Sequence, residues 1–342
     1  MRAVVLVGGR GTRLRPLTLR TPKQMLPVAG RPMIERVLAH LATHGVDEAV
    51  LSLGYKPDAF RRAYPDATCA GVHLVYAVED EPLDTAGAIR FAATEAGIDE
   101  RFLVVNGDVL TDLDISSLSA AQDRANQEDA SLATIALAPV EDPSSYGVVT
   151  LDGDDRVQAF VEKPPPGEAA SNLVNVGYYV LEPEVLERIP PDRRVNIERE
   201  TFPALVADQA LRGQRQDAWW SDVGTPARFL EVSLNLLDRG ADDVVAVADS
   251  AMVATSAQVR RCILGPGCRI GRNARVEDSI VFSRAVIGNG AQVRGSIVGA
   301  SAVVGDAATV TDLTVLGNEA EVDGGSSVTA TLIPGPDEWP SE

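Results

Sequence analysis

The sequence predicts an α/β domain followed by a left-handed parallel β-helix, and three observations carry that reading. Strand-like and helix-like segments alternate up to residue 238, a short repeat takes over after residue 250, and a glycine-rich turn follows the first apolar strand directly. The expected boundaries are 1–238 for the α/β domain, 239–250 for a linker, 251–334 for the β-helix and 335–342 for a tail. A chain of 342 residues is long enough for two domains, each with its own core.

Residues 3–7 form a continuous apolar run, as a parallel strand buried on both faces requires. Met33, Ile34, Val37, Leu38 and Leu41 recur at helical spacing behind Pro32, whose fixed φ suits a first helical turn. Further strands are expected at 49–53, 72–77 and 102–106, with helices at 57–63 and 86–95 between them. A second set of strands is expected at 131–138, 146–150, 157–161 and 174–181. Helices at 183–189, 197–207 and 226–237 close the domain.

Beyond residue 250 aromatic residues nearly vanish and small and β-branched residues dominate. Blocks beginning at Cys262, Ser279, Ser296 and Leu313 can be laid over one another, each starting 17 residues after the last. Within them Leu264, Ile270, Val276, Val281, Ile287, Val293, Val298, Val304 and Val310 return every five or six positions. Three short strands to a coil, with small residues at the corners, give a β-helix. An ordinary β-sandwich would not hold this register over four blocks.

Composition removes several function classes. No apolar run approaches the roughly 18–20 residues that a membrane-spanning helix needs, and the opening MRAVVLVGG lacks the features of a signal peptide. The three cysteines form no CxxC pair, so neither a disulfide framework nor a zinc site is expected, and the expected location is cytoplasmic. A net charge of −18 argues against non-specific nucleic-acid binding and against an anionic membrane surface. Yet from Met1 to Ile34 there is no acidic residue, while Arg2, Arg10, Arg13, Arg15, Arg20, Lys23 and Arg31 are basic. Such a cationic island suits a polyphosphate.

After the first strand comes Gly8-Gly9-Arg10-Gly11-Thr12-Arg13. Glycines there let backbone N–H groups approach a phosphate, although the spacing is neither a Walker A loop nor a dinucleotide fingerprint. Lys23 follows in Pro22-Lys23-Gln24-Met25-Leu26-Pro27, and only Lys23, Lys56 and Lys163 among 31 basic residues are lysine. Where arginine is the default, a lysine suits a place that needs a compact ammonium, such as a phosphate oxygen. Asp108 ends a buried strand in Asn106-Gly107-Asp108, at the sheet edge where ligands gather in open α/β folds, and Asp222 stands in Trp219-Trp220-Ser221-Asp222-Val223-Gly224. Two carboxylates can hold one Mg²⁺ while water and phosphate oxygens complete its octahedron. Either aspartate alone serves equally well as a turn or cap residue.

GGRGTRLRPLT together with PKQMLPVAGRPMI resembles the signature of sugar-1-phosphate nucleotidylyltransferases, and within them the mannose-1-phosphate guanylyltransferases. The resemblance implies a Rossmann-like nucleotidyltransferase domain in which Gly8, Gly9, Gly11, Thr12 and Arg13 wrap a nucleoside triphosphate and Lys23 holds its phosphates. It implies Asp108 and Asp222 as Mg²⁺ ligands. Phe160-Val161-Glu162-Lys163-Pro164 matches the family's sugar segment, so Glu162 would accept from sugar hydroxyls and Lys163 would pair with the sugar phosphate. Gly147 and Asn175 lie in two further segments that match sugar-contacting ones, the second with Val176 where the family more often has alanine. In this reading Arg13, Lys23, Asp108, Lys163 and Asp222 carry the chemistry, on an NTP and a sugar 1-phosphate.

Residues 76–87 lie where the family reads the base. Uridylyl and thymidylyl members tend to have glutamine near Glu79, whereas a carboxylate only accepts, which suits the neighbouring N1–H and N2–H₂ donors of guanine. The usual Pro-Leu-Gly-Thr-Ala-Gly reads here Pro-Leu-Asp-Thr-Ala-Gly, so Asp84, beside Thr85, keeps a contact to the base only if its Cβ is tolerated. Three rivals remain. An acetyl-transferring β-helix generally relies on a histidine, but His40, His44 and His73 all lie in the first domain. A non-catalytic regulatory homologue would usually lose part of the phosphate or metal set. A glucose-1-phosphate thymidylyl- or uridylyltransferase differs in base and sugar alone. The β-helix is expected to be structural or to form a homo-oligomer.

Overall fold

The valines and leucine of Arg2–Leu6 form an inner strand of a ten-stranded sheet in the computed structural model, which describes residues 1–191, 193–240, 244 and 246–340. The chain folds as two units, Met1–Gly9 with Ile34–Trp220 and Arg10–Met33 with Ser221–Glu342. Of the expected linker, residues 241–243 and 245 lie outside the described residues, as do 341 and 342 of the tail.

In the first unit the strand Arg2–Leu6 runs parallel between Glu48–Leu53 and Phe102–Asn106, with Val4 paired to Val50 and to Val104. All three valines are fully buried, which is why these strands read as unbroken apolar runs. Val72–Val78 extends the parallel set, and Leu173–Leu181 adds antiparallel to Phe102–Asn106 and leads to Gly147–Leu151 and Val157–Glu162. Tyr179 and the ring of Phe202 meet edge to face at 5.0 Å in the core beneath them. Burying each such side chain contributes about 1.5–3 kcal/mol.

Two longer elements escape the sequence pattern, as do the short strands Pro27–Val28, Arg31–Pro32, Thr68–Cys69, Val109–Thr111 and Trp220–Asp222. Ile115–Asp129 is a 15-residue helix whose N-cap, Asp114, accepts from Ser117 N at 2.9 Å. Its buried stripe is Ile115, Leu118, Gln122 and Ala125, so a buried glutamine interrupts the apolar period. Gln122 is satisfied there, donating to Ser131 O and Glu182 and accepting from Thr134. The strand Leu211–Arg215 pairs parallel with Ala133–Pro139 although it carries Arg212 inside. Arg212 is 7% exposed and ion-paired with Asp129, which Arg156 also holds at 2.7 Å. The helix expected over 197–207 forms as a π-helical turn, Ile197–Thr201, running into an α-helix, Phe202–Ala207.

The second unit contains the β-helix, with three parallel five-stranded sheets built from strands of two or three residues. Leu264, Val281, Val298 and Leu316 stack inside one sheet, and Ile270, Ile287, Val304 and Val322 inside the next. Corner residues adopt left-handed backbone at the repeat spacing, as at Arg261, Asp278 and Gly295. Ser296 N donates to the hydroxyl of Ser279, which itself donates to Glu277 O, so a buried polar column follows the coils without orphaned groups. The fourth block differs from the even count. Ile297 pairs with Val315 and Thr309 with Ser327, so Thr314 stands in the place of Ser296 and the coil holds one extra residue. That residue is absorbed at a corner where Asp312 and Leu313 both have positive φ, 54° and 59°.

One sheet of the β-helix is covered on its outer side. Ile263, Ile280, Ile297 and Val315 point outward yet are at most 3% exposed. Phe229, on the helix Pro226–Asp238, stacks against Phe282 at 6.0 Å, and Arg20 pairs with Glu319 at 2.5 Å.

Candidate active site

The strand Phe102–Asn106 delivers Asp108 through Gly107, whose N–H donates to Leu6 O at 3.0 Å. A Cβ at position 107 would stand 2.6 Å from Val7 Cγ1 and 2.9 Å from Leu6 O, so only glycine lets the chain turn there. Asp108 faces Tyr178 and Tyr179. Burial, and then the negative charges of Glu198, Glu162 and Asp108, hold the Tyr179 phenol well above its ordinary value. Asn175 donates from Nδ2 to Tyr179 Oη at 2.9 Å and accepts from Gly177 N at 3.0 Å.

Glu162 and Lys163 close the other side of this cluster. The Lys163 ammonium stands 3.0 Å from Glu162 Oε1, and a Cβ on Gly147 would meet Glu162 Oε2 at 3.1 Å. The nearest obstacle to such a Cβ is the Phe160 ring, 2.6 Å away, so glycine at 147 is set by the packing of Phe160 as well as by the approach to Glu162. Trp219 is tied to Thr111 and Asp112 by hydrogen bonds of 2.8 and 2.7 Å, and Trp220 meets Tyr146 edge to face at 5.3 Å. Asp222 follows two residues later along the chain.

Glu198 belongs to the same cluster and was not singled out by the sequence. It accepts from Thr85 Oγ1 at 3.1 Å, and Thr85 Oγ1 in turn accepts from Ile197 N at 2.8 Å. Burial raises the Glu198 pKa above the ordinary carboxylate range, and the charges of Glu162 and Asp84 push the same way. Perturbed carboxyls of this kind concentrate at functional sites, as do π-helical turns such as the one that carries it. Nothing in the local sequence marks it, because its neighbours reach it from distant segments.

Asp84 answers the question its sequence raised. Its backbone is left-handed, with φ 63°, a conformation that glycine takes without strain and a residue with a Cβ takes at a cost. The aspartate is held there by its own side chain, which accepts from Thr85 N at 2.7 Å and from Asn196 Nδ2 at 3.0 Å. Glu79 has partners too. Oε1 accepts from Ser52 Oγ at 2.8 Å and Oε2 from Leu83 N at 2.9 Å, leaving part of its acceptor capacity open. A Cβ on Gly8 would lie 3.8 Å from Glu79, while one on Gly9 would meet nothing within 4 Å.

The chain passes into the second unit between Gly9 and Arg10. Gly11 has φ 64° and opens a short 3₁₀ turn, Thr12–Leu14, while Thr18 Oγ1 donates to Gly11 O at 2.7 Å. Lys23 packs its stem against this turn and is only 6% exposed. In the same unit Arg13 and Asp222 converge on Gly224, where a Cβ would stand 3.2 Å from Arg13 Nη2 and 2.9 Å from Asp222 Oδ2. Gln24, also buried, has a side-chain oxygen with no hydrogen-bond partner among the described residues. No group of three or more His, Cys, Asp or Glu among the described residues is placed to hold a metal by itself.

Residues 2–239 match the family model described as nucleotidyl transferase, and residues 241–336 match that of the GMPPB C-terminal domain. The chain belongs to the nucleotidyl transferase family. A mannose-1-phosphate guanylyltransferase of Mycobacterium tuberculosis is 39% identical over 82% of this chain and 79% of its own length. A mannose-1-phosphate guanyltransferase of Schizosaccharomyces pombe is 36% identical over 80% of this chain and 74% of its own. Among solved structures, HddC from Yersinia pseudotuberculosis has a TM-score of 0.58 and 28% identity, covering 69% of this chain and 99% of that one. The same protein complexed with GMP-PN gives a TM-score of 0.56. The chain is thus a nucleotidyltransferase, an enzyme class that acts on small molecules and generally works with a divalent metal. No helix among its described residues is long and apolar enough to cross a membrane.

Proposed function

We propose that this enzyme transfers the GMP moiety of GTP to mannose 1-phosphate, giving GDP-mannose and pyrophosphate. The observation that carries the reading is the single polar cluster joining Asp108, Gly147, Glu162, Lys163 and Asn175 through Tyr179. These residues come from four separate strands or strand ends, and their shared chemistry is that of a site for hydroxyls beside an anion.

A phosphate oxygen of the sugar 1-phosphate attacks the α-phosphorus of the nucleotide. The bond from that phosphorus to the bridging oxygen breaks, and its electrons leave with pyrophosphate. Both reactants are anions, so the protein's task is to hold them together and to stabilise charge on the transferring group. Arg13 and Lys23 steady the triphosphate above the Gly8, Gly9, Gly11 and Thr12 turn, and Lys163 exchanges its contact with Glu162 for the sugar phosphate. Glu162 and Asn175 then take sugar hydroxyls. Asp108 and Asp222 offer carboxylate oxygens, the hard donors that Mg²⁺ prefers, and a bound Mg²⁺ would supply charge neutralisation at the α-phosphate and leaving group. Glu79, with the acceptor capacity that Ser52 and Leu83 leave unused, reads the guanine N–H edge, and the Asp84–Thr85 segment flanks the base.

The reading extends to organisation. Residues 1–238 carry the chemistry and 251–334 assemble the chain into a homo-oligomer, in the cytoplasm. A matrix of five nucleotides against mannose, glucose, galactose and N-acetylglucosamine 1-phosphates, read by pyrophosphate release, tests the assignment. GTP with mannose 1-phosphate is expected to give the highest kcat/KM. Faster turnover of dTTP or UTP would move the enzyme to the thymidylyl or uridylyl reading, and no release with any pair would remove the catalytic one.

A further inference from the structure

The turn that carries Arg13 has a back as well as a front. Thr12 and Arg13 are exposed, whereas Leu14, Pro16, Leu17 and Thr18 behind them are buried. Leu14 N donates to Gly11 O at 2.9 Å and Arg15 N to Thr12 O at 3.2 Å. So short a 3₁₀ turn fixes many dihedrals for each hydrogen bond it gains, and alone it would not keep one conformation. What lies against its back therefore decides how Arg13 is presented.

That support comes from distant residues of the same unit. Pro16 packs on the bend at Gly317, where a Cβ would stand 3.0 Å from Pro16 Cβ and 3.3 Å from Pro334 Cδ, so glycine lets three segments meet. The pair of Arg20 with Glu319 is largely exposed and screened by water, so it holds the turn only weakly. The Arg15 guanidinium lies over the ring of Trp339, 5.6 Å from its centroid. Both side chains are half-buried, which spares the contact much of that screening.

Trp339 is itself held in place. After the last coil strand, Leu332–Ile333, the chain makes a 3₁₀ turn, Pro336–Glu338, in which Gly335 N donates to Glu338 Oε1 at 3.0 Å and Trp339 N to Pro336 O at 3.2 Å. The indole Nε1 donates back to Pro334 O at 3.0 Å. The ring's one hydrogen-bond donor is thus used within this hook, and its π face is turned to a cation. Among aromatic rings an indole attracts a cation best.

The structure assigns Trp339 a part in nucleotide binding: it is a positioning residue that holds Arg15, and through it the Thr12–Leu14 turn, so that Arg13 is presented to the triphosphate. This rests on the reading of Arg13 and Lys23 as triphosphate ligands and adds to it a residue from beyond the β-helix. Without the ring the turn samples other conformations, and affinity falls by the fraction of chains whose turn is not competent. Arg13 meets the same triphosphate whatever the base, so the loss is common to every nucleotide that binds. Glu162, Lys163 and Asn175 belong to the first unit, so the sugar 1-phosphate is not affected.

Pyrophosphate release by the full chain, together with calorimetric titration of nucleoside triphosphate in Mg²⁺, tests the assignment in Trp339→Ala, Trp339→Leu and Trp339→Phe. Alanine and leucine should raise the KM and Kd of the triphosphate about three- to tenfold, with kcat and the KM of the sugar 1-phosphate within about twofold. Phenylalanine keeps a ring face and should stay within about twofold of the original chain in every constant. In an Arg15→Met background, Trp339→Ala should add less than about twofold, because its partner has gone. Melting curves verify that each variant folds. A ring needed only for stability would lower kcat through a smaller active fraction and leave the KM unchanged, and that result overturns the inference. So do unchanged constants in the alanine variant, a leucine variant that matches phenylalanine, or a double variant whose losses multiply. Failure of the proposed reaction shows separately, as no pyrophosphate release from the original chain, while the nucleotide titration still reads Trp339.

Discussion

Position 84 offers a quantitative test of how a residue with a Cβ is held in left-handed backbone. Left-handed backbone costs a residue with a Cβ about 1–2 kcal/mol. Asp84 offsets this with two accepted hydrogen bonds, from Thr85 N and Asn196 Nδ2, each contributing about 1 kcal/mol. Asp84→Gly relieves the backbone and forfeits both bonds, for a net loss of about 0–1 kcal/mol. Asp84→Ala keeps the backbone cost and forfeits the bonds, for a loss of about 2 kcal/mol. Asp84→Asn keeps an acceptor for both donors and removes a negative charge facing Glu198, so it should match the original chain within about 0.5 kcal/mol. Urea unfolding of the four proteins measures the series, provided their m values agree. Equal losses for alanine and glycine would mean that the backbone at 84 is not left-handed. A loss for asparagine as large as for alanine would mean that the side-chain bonds do not hold the turn.

Three further outcomes are expected. Asp108→Asn, or an excess of chelator, should lower kcat by roughly a hundredfold or more, and unchanged turnover in chelator would remove the metal from the mechanism. Glu198 has a raised pKa, so the folded chain holds its proton more tightly than the unfolded one; its stabilising contribution is full below about pH 4.3 and is lost as pH rises through the folded value. Glu198→Gln should therefore melt higher than the original chain at pH 8 and no higher at pH 4, and a gain independent of pH would contradict the assignment. Arg212→Met should cost about 3 kcal/mol in urea unfolding, the low end for a broken buried pair because Arg156 still holds Asp129. A neutral result would show that Arg156 alone satisfies that carboxylate.

Most strands were legible because each is buried on both faces and its apolar run is continuous. The β-helix was legible through its period alone. The two longer elements that escaped did so for a common reason, since buried polar residues break the patterns that mark elements, while strands such as Val109–Thr111 are too short to show a period. Gln122 interrupts the apolar stripe of Ile115–Asp129, and Arg212 disguises Leu211–Arg215 as an exposed segment. The candidate site was legible where glycines and charged residues cluster in sequence, as in the Gly8–Arg13 turn and the Glu162-Lys163 pair. Glu198 was not, since its burial and its neighbours Thr85, Glu162 and Asp84 are set by tertiary packing.

The doubled bend at Asp312 and Leu313 shows where such a coil tolerates growth. An extra residue at a bend is swallowed locally, and pairing resumes at Val315 with every later side chain on its proper side. The same residue inserted into a straight, between Val315 and Leu316, would turn the remainder of that run inside out, thrusting Leu316 toward the outside and a neighbour into the hydrophobic shaft. Length variation among chains of this architecture should therefore gather at the bends, and counting residues from one bend to the next gives a poorer alignment than following the buried hydroxyls of Ser279, Ser296 and Thr314.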